Sequence, residues 1–291
     1  MQLRKDGTIL PRHGNHQAAN DPRHPAQLIE HDAIRNNHYQ PTHGPQMNSV
    51  RESPAMQVVR DGPVVNRFES DSLLADAVAT LIANAVDQGV TAHGDARLVL
   101  SGGNTPAIFL PRTVALDLPW NKVTIFLADE RWVDASSADS NAGTLRRAFR
   151  ACGEASKARI VSFDKSGVDI VADVANARRG LPSIEQKYDL VLLGMGGDGH
   201  FASMFPGTPG LAQMLAADNT ERLVAIPSPT TAAPHVERIS MTLAEISRSR
   251  RVVLVIKGEE KLRVLKQARA GGNPLTTPVC ALGNVEVFWC P

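Results

Sequence analysis

The chain has 291 residues, of which 43% are hydrophobic and 21% charged, a composition that excludes fibrous and wholly disordered proteins. Its 31 Lys and Arg residues balance 30 Asp and Glu residues, so a net charge of +1 provides no global attraction to nucleic acid or an anionic membrane. Any anion site must therefore be local. The longest apolar runs, Val252 to Ile256 and Leu190 to Leu193, are far shorter than the roughly 18 residues of a membrane helix.

The cysteines are few and odd in number. Cys152, Cys280 and Cys290 have no spacing typical of metal ligands. No basic stretch followed by an apolar one opens the chain. We therefore expect a reduced, cytoplasmic protein that binds no metal.

Residues 1–55 differ in composition from the remainder. They hold six of the nine histidines and six of the nineteen prolines, and only seven of them are Leu, Ile, Val or Phe. So few apolar side chains cannot offset the entropy of ordering the backbone, which predicts a disordered tail. The histidine spacings are irregular and no Cys accompanies them, which argues against a metal-binding segment. A start at Met47 or Met56 is the alternative interpretation of this segment.

Residues 56–291 show alternating strand and helix patterns. Ser70 or Asp71 is expected to cap a first helix with one apolar stripe, and Thr105-Pro106 begins a second. The nearly all-apolar strands are typical of a sheet buried on both faces. The pattern predicts an α/β fold: a single three-layer α/β/α domain with a mainly parallel, Rossmann-like sheet. Strands are expected at 97–100, 123–127, 160–163, 189–193, 223–226, 238–242, 252–256 and 285–289, and further helices at 141–150, 168–179 and 259–270.

Ligands of such sheets bind beyond the carboxyl ends of the strands, so the residues after each apolar run are site candidates. The first candidate is the turn Ser101, Gly102, Gly103, Asn104 and Thr105. Its glycines allow close backbone approach, and amides at the following helix start favour a phosphate. The same sequence is equally typical of a plain tight turn with an N-cap.

The second candidate directly follows the strand predicted at 123–127. Asp129, Glu130 and Arg131 would place carboxylates and a guanidinium where substrate lies, with Asn141 shortly after. A solvated acidic turn is the alternative.

The third candidate, GMGGDGH at 194–200, matches the dinucleotide pattern G-x-G-x-x-G. Pro206 and Pro209 end any helix begun at His200 too early for that function. What remains is a glycine loop presenting Asp198 and His200 at a strand end. The imidazole can act as a general base while a carboxylate fixes its tautomer. A purely structural histidine is the alternative.

The fourth candidate consists of two cations, Arg238 at a strand start and Lys261 in the first turn of a helix. Either could be a surface charge. Beside a glycine turn they would instead complete a phosphate site.

The motifs SGGNTP, FLADERWV with DSN, LLGMGGDGHFASMFPGTP, RISMT and KGEEK occur in the order and spacing of the 6-phosphogluconolactonase family, which the chain resembles over residues 57–289. The resemblance implies a hydrolase that converts 6-phospho-D-glucono-1,5-lactone to 6-phospho-D-gluconate in the oxidative pentose phosphate pathway. It implies no metal and no organic cofactor. It also implies the fold of the glucosamine/galactosamine-6-phosphate isomerase superfamily, in agreement with the α/β prediction.

Roles are assigned to the candidate residues on this basis. His200 is expected to activate water, with Asp198 or Asp129 orienting it and Arg131 stabilising the oxyanion. The partner is a small phosphosugar lactone, with no nucleic acid or membrane, and the protein is expected to be a monomer. Substrate binding is assigned to Ser101, Gly102, Gly103, Asn104, Thr105, Asn141, Gly196, Arg238 and Lys261.

Three positions depart from the family pattern, since Asn104 and Phe201 stand where Ser and Thr are usual and Ala142 stands where a larger side chain is usual. Asn104 is still expected to cap its helix, whereas Phe201 would place a bulky ring beside the base and alter substrate fit. The alternative functions are a glucosamine-6-phosphate deaminase and a non-catalytic sugar-phosphate sensor. The deaminase family carries a Glu five residues after the His, where this chain has Phe205. A sensor needs a helix-turn-helix, for which the tail shows no pattern.

Overall fold

The computed structural model describes residues 64–230, 232–283 and 285–291. The tail predicted over residues 1–55 lies outside these ranges. The strands of the described residues are β1 (Val65–Arg67), β2 (Ala96–Leu100), β3 (Val123–Leu127), β4 (Asp129–Arg131), β5 (Arg159–Val161), β6 (Leu190–Leu193), β7 (Leu223–Ile226), β8 (Arg238–Met241), β9 (Val252–Lys257) and β10 (Glu286–Cys290). Their α-helices are α1 (Asp71–His93), α2 (Thr105–Val114), α3 (Asn141–Arg150), α4 (Ile170–Arg178), α5 (Leu211–Met214), α6 (Leu243–Ile246) and α7 (Glu259–Arg269).

The long first helix, α1, begins and ends on residues suited to those positions. The Ser70 hydroxyl accepts the N–H of Leu73 at 3.3 Å, so the predicted cap is confirmed. Gly94 ends the helix in the left-handed conformation, φ 87°, and donates its N–H to Val90. Buried side chains recur every three or four residues and form the stripe that faces the sheet and α2: Leu74, Val78, Leu81, Ile82, Ala85 and Val86.

By length and composition alone, α1 could cross a membrane. The lengths of uninterrupted apolar runs did not reveal this, because polar residues interrupt the apolar sequence of the helix. It has 23 residues, and an 18-residue window has a mean hydropathy of 1.2. Half of that window is buried inside the fold. Because its apolar face packs against protein, α1 is accounted for as a core helix of the domain.

Seven parallel strands form the main sheet in the order β1-β10-β9-β6-β2-β3-β5. The predicted mainly parallel α/β fold is confirmed. Connections through α1, α2 and α3 advance toward β5, and those through α4 and α7 return toward β1. Because parallel crossovers are right-handed, the two groups of helices lie on opposite faces. The direction of the chain reverses between β2 and β6, which creates a crevice at their carboxyl ends.

A smaller antiparallel sheet, in the order β4-β8-β7, adjoins the main one. The chain passes into it directly after β3 through Ala128, whose N–H donates to Leu100 and whose carbonyl accepts the N–H of Met241. The second site candidate, for which a solvated acidic turn is the alternative, is therefore strand β4. Strands predicted at 223–226 and 238–242 pair here and not in the parallel sheet. The strand that pairs with β4 is β8, which is distant in sequence, so no local sequence pattern predicts this pairing.

A fully satisfied cluster of buried charges joins β6, β7 and α6. The side chain of Glu245 has no exposed surface and accepts hydrogen bonds from the Tyr188 hydroxyl at 2.5 Å and from Arg222 at 2.6 and 2.8 Å. Arg248 adds a contact of 2.9 Å. Burial acts to raise the pKa of Glu245, but the bonds from Arg222 and Tyr188 outweigh it and hold that pKa below its usual value. This cluster has the character of a structural ion network.

Candidate active site

A cleft of about 230 Å³ opens where the strand order reverses, beyond the ends of β2 and β6. The N–H of Ser101 donates to Leu192 at 3.0 Å and so ties the turn after β2 to the neighbouring strand. Small ligands of doubly wound folds bind at this point. The cleft is lined by Ser101, Gly102, Gly103, Asn104, Thr105, Asp129, Arg131, Asn141, Gly194, Met195, Gly196, His200, Ala202, Arg238 and Lys261.

The structure brings nearly all the predicted site residues together. Every residue assigned to substrate binding lines the cleft, as do His200, Arg131 and Asp129. Asp198 does not line it and lies behind His200. Three lining residues were assigned no role from the sequence, namely Gly194 and Met195 of the third candidate stretch and Ala202 shortly after it. All three stand within or beside the glycine-rich stretch, and the only available signal was their position after a buried strand.

The glycine turn after β2 is shaped by what packs against it. A Cβ on Gly102 would overlap the side-chain amide of Asn141, whose Nδ2 donates to the Asp129 carbonyl at 2.9 Å. Gly103 has φ +82°, a conformation that favours glycine. The Ser101 hydroxyl is buried and has no hydrogen-bond partner among the described residues. The turn thus presents an unsatisfied hydroxyl toward the space a ligand would occupy.

The expected capping role of Asn104 is wrong. Asn104 occupies the N-cap position of α2, but its side chain accepts no capping hydrogen bond. Its backbone has helical angles, φ −81° and ψ −22°, whereas a capping side chain requires an extended residue. The Asn104 side chain is therefore not committed to the helix and lies at the cleft.

The small sheet places two arginines side by side at the cleft. Arg131 and Arg238 are direct partners in the antiparallel pairing of β4 with β8, so their side chains share one face. Both line the cleft. Like charges directly opposite each other are destabilising, which favours an anion between or beside them. The pairing thus indicates an anion-binding site.

Arg238 is buried with few partners. It is 3% exposed, its Nε has no partner in the described chain, and its Nη2 makes only long contacts with carbonyls, 3.3 Å to Pro234 and 3.4 Å to Ala233. Burial lowers the pKa of the Arg238 guanidinium; the charge of Asp129 opposes this shift and that of Arg131 adds to it. A buried cation with free donors is suited to binding a phosphate.

Lys261 supplies a third cation from the first turn of α7. The described residues offer it no salt bridge. Burial lowers the pKa of its ammonium group, with Asp198 acting in the opposite direction. The described residues that line the cleft thus include three cationic side chains and one carboxylate, that of Asp129. The excess of positive charge favours an anionic ligand.

His200 is held by a carboxylate and by close backbone packing. Asp198 Oδ1 lies 2.6 Å from His200 Nδ1 and accepts the His200 N–H at 3.1 Å. A Cβ on Gly196 would overlap the imidazole, so only glycine fits there. Burial acts to raise the pKa of Asp198, but the bond from and charge of His200 lower it overall. With Nδ1 donating to the carboxylate, Nε2 of the neutral ring is the acceptor that a base requires.

Of the two carboxylates considered for orienting His200, Asp198 makes the contact. Asp129 instead accepts the Ser203 hydroxyl at 2.7 Å and is buried. Between His200 and Ser203, Ala202 has φ +47°, an uncommon conformation for a residue with a side chain. Such strain concentrates at functional sites because surrounding structure must enforce it.

The expectation that Phe201 stands beside the base is wrong. Phe201 is fully buried in the core, and the N–H of Met204 donates back to its carbonyl at 3.1 Å, closing a turn around Ala202. That turn directs Phe201 away from the cleft. The ring that contacts the imidazole is Phe205, whose centroid lies 4.3 Å from that of His200.

Glu130, a member of the second sequence candidate, does not line the cleft but supports residues that do. It is 1% exposed and accepts the backbone N–H groups of Arg131, Asn141 and Ala142 at 2.7–2.8 Å. Burial raises the pKa of Glu130 in spite of these bonds. The carboxylate thereby joins the start of α3 to β4. The alternative of a solvated acidic turn is excluded, since Asp129 and Glu130 are both buried.

A doubly wound domain with a cationic cleft and a histidine–carboxylate pair defines a class of proteins that act on small anionic ligands. A family model described as glucosamine-6-phosphate isomerases/6-phosphogluconolactonase matches residues 69–289. The chain belongs to this family.

Several relatives align with this chain over nearly their whole length. The chain is 37% identical over 232 residues to a 6-phosphogluconolactonase of Pseudomonas putida, a match covering 78% of this chain and 93% of the relative. It is 38% identical over 227 residues to one of Caulobacter vibrioides, covering 76% and 95%. The crystal structure of a 6-phosphogluconolactonase from Shewanella baltica superimposes with a TM-score of 0.71 at 32% identity, covering 81% of this chain and 100% of that one.

Proposed function

We propose that this protein hydrolyses 6-phospho-D-glucono-1,5-lactone to 6-phospho-D-gluconate, a step of the oxidative pentose phosphate pathway. The observation that carries the proposal is that His200, whose Nδ1 lies against Asp198, lines one cleft together with the facing arginines Arg131 and Arg238. A base and an anion site in one small cleft suit an ester substrate that bears a phosphate. The relatives named above are 6-phosphogluconolactonases over nearly their whole length.

The phosphate is held by the turn of residues 101–105 together with Arg238 and Lys261. Support comes from the free Ser101 hydroxyl, the free Arg238 Nε and the absence of a salt bridge to Lys261 in the described chain. The phosphate does not react, so its binding energy serves to orient the lactone carbonyl.

The chemistry requires one base and one cation. His200 Nε2 takes a proton from water as the water oxygen bonds to the lactone carbonyl carbon, and Arg131 stabilises the oxyanion that forms. When the intermediate collapses, the bond from this carbon to the ring oxygen breaks and the ring oxygen takes the proton from the imidazolium. The new carboxylic acid then loses its proton to solvent. Asp198, by accepting from Nδ1, keeps Nε2 free and stabilises the imidazolium.

The alternative deaminase is disfavoured by the residue in contact with His200. In place of the acid expected for ring opening, the apolar ring of Phe205 packs there. The experiment is to measure acid release from freshly prepared 6-phosphogluconolactone and ammonia release from glucosamine 6-phosphate on one preparation. Acid release without ammonia is expected. Ammonia release without lactone hydrolysis would overturn the proposal in favour of the deaminase.

We propose further that the protein acts as a monomer in the cytoplasm. Cys152, Cys280 and Cys290 form no disulfide with one another, as suits a reducing compartment. Light scattering coupled to size exclusion should report one chain per particle, and kcat/KM should not vary with enzyme concentration.

A further inference from the structure

The ring of Phe205 touches two groups that serve different parts of the proposed reaction. Its centroid lies 4.3 Å from the imidazole centroid of His200, with 42° between the planes. The guanidinium carbon of Arg238 lies over the same ring, 5.1 Å from its centroid. Phe205 is 2% exposed and does not line the cleft, so substrate does not touch it.

For Arg238, the ring is the main contact that fixes orientation. The only hydrogen bonds of its guanidinium to described residues are the two long contacts from Nη2, at 3.3 and 3.4 Å. A planar guanidinium stacks favourably on an aromatic face, and the attraction is larger when both groups are buried. The ring therefore holds the plane of Arg238 while leaving Nε free to donate to a ligand.

For His200, the ring completes a three-sided support. Asp198 holds Nδ1 and the Gly196 backbone packs against the imidazole. One hydrogen bond leaves an imidazole free to tilt about that bond, and packing from Phe205 removes this freedom. Nε2, the atom that takes the proton, is thereby kept in one place.

We propose that Phe205 is a positioning residue that sets the spacing between the base His200 and the phosphate anchor Arg238. The inference rests on the proposed function and adds to it a basis for specificity. A substrate fits only if its phosphate and its carbonyl carbon are separated by the distance the ring maintains. An error of about 1 Å in such positioning costs up to roughly 100-fold in rate.

The test compares two buried phenylalanines of one loop. Phe205→Leu removes the ring at the site, and Phe201→Leu is the matched control, because Phe201 is equally buried but packs in the core. Phe205→Tyr keeps the ring. For each variant kcat and KM are measured on the lactone, the Kd of 6-phosphogluconate by calorimetry, and Tm by heating.

Phe205→Leu is expected to lower kcat about 10-fold and to raise both KM and Kd about 5-fold, since base and anchor loosen together. Phe201→Leu is expected to lower Tm by about as much as Phe205→Leu does, because both remove a buried ring. Its kcat, KM and Kd should stay within about twofold of wild type. Phe205→Tyr should recover most of the activity, although its buried hydroxyl lowers Tm. If Phe205→Leu does not fold, Phe205→Met makes the same comparison at similar volume.

The inference is overturned if Phe205→Leu or Phe205→Met keeps kcat, KM and Kd within twofold of wild type. It is also overturned if Phe201→Leu loses as much as Phe205→Leu, because the effect would then be general packing. In either case an active wild type leaves the proposed function standing. A wild type that does not hydrolyse the lactone overturns both.

Discussion

Two groups of buried charges in this domain are built in opposite ways. Around Glu245, the charges are paired: the guanidinium groups of Arg222 and Arg248 and the hydroxyl of Tyr188 contact one carboxylate with no exposed surface. In the cleft, Arg238 is as deeply buried, yet its Nε has no partner among the described residues and its cross-strand neighbour is another cation, Arg131. The Ser101 hydroxyl likewise lacks a hydrogen-bond partner within the described part of the chain.

This difference indicates that the charges around Glu245 stabilise the fold, whereas the charges in the cleft are available to bind a ligand. Burying a charge without a partner is costly, so an unpaired cation persists only where the surrounding structure enforces it. The Glu245 cluster needs nothing from outside. The cleft becomes fully satisfied only when an anion enters. Variants in the two regions should therefore affect different measurements.

The largest expected effect is at the base. His200→Ala should lower kcat by about 10²- to 10⁴-fold and leave KM nearly unchanged, because general-base assistance acts in the transition state and the phosphate anchor is intact. Asn at this position should behave like Ala. The control is His93→Ala at the opposite end of the sheet, where His93 bonds to Asp95 and Asp189 and only Tm should fall. A His200→Ala enzyme that keeps more than about a tenth of kcat, after subtraction of spontaneous hydrolysis, would transfer the role to Asp129, Glu130 or Asp198.

The second effect is at the anchor. Arg238→Ala should raise KM by about 10- to 100-fold, corresponding to the loss of charge-assisted hydrogen bonds to phosphate. Steady-state kinetics on the lactone would measure it, with calorimetry of 6-phosphogluconate as a check independent of turnover. The unphosphorylated lactone should be a poor substrate for the wild type. Equal rates on both lactones would contradict the anchor.

The third prediction concerns the satisfied cluster. Glu245→Gln should lower the free energy of unfolding by about 3 kcal/mol, because Arg222 and Arg248 lose a buried counter-charge, while kcat/KM stays unchanged. The pKa of Glu245 is lowered from 4.5 in the folded state, so its stabilisation is complete above that value and is lost as the pH falls through the folded pKa. Wild type should therefore lose Tm below about pH 4.5 more steeply than the Gln variant. Parallel pH slopes for the two proteins would refute this assignment.

The smallest effect is expected from the N-terminal segment. Every residue that lines the cleft lies at position 101 or beyond, and the composition of residues 1–55 provides little apolar surface. Deleting these residues should leave kcat/KM within about twofold. A large loss of activity in the truncated protein would show that the segment contributes to the site or to assembly.

Much of the fold was predictable because its elements carry local signals. Helix α3 follows Ser140, whose hydroxyl caps it, and β7 matches its apolar run residue for residue. Strands β1 and β4 have three residues each, too few to show a period. Helix α4 begins at Ile170, two residues later than expected, because the Asp169 carboxylate accepts the N–H of Val171 and acts as the cap.

The site was predictable in its members but not in its contacts. Parallel strands bring their carboxyl ends to one edge, so motifs after β2, β3 and β6 had to meet there. The left-handed conformation of Ala202 determines which aromatic ring faces His200. No local sequence pattern predicts that conformation. The pairing of Arg131 with Arg238 depended on a strand more than a hundred residues away along the chain.

The facing arginines also link the stability of the folded protein to the supply of its ligand. Without an anion the pair repels, and a phosphosugar bound as proposed above would remove that repulsion only in the native state. Any ligand specific to the native state adds RT ln(1 + [L]/Kd) to the free energy of unfolding, about 2.7 kcal/mol at a hundredfold excess over Kd. Resistance to heat and to proteolysis should therefore rise with the concentration of phosphorylated sugar acid, and the folded enzyme should be degraded more slowly where that ligand accumulates.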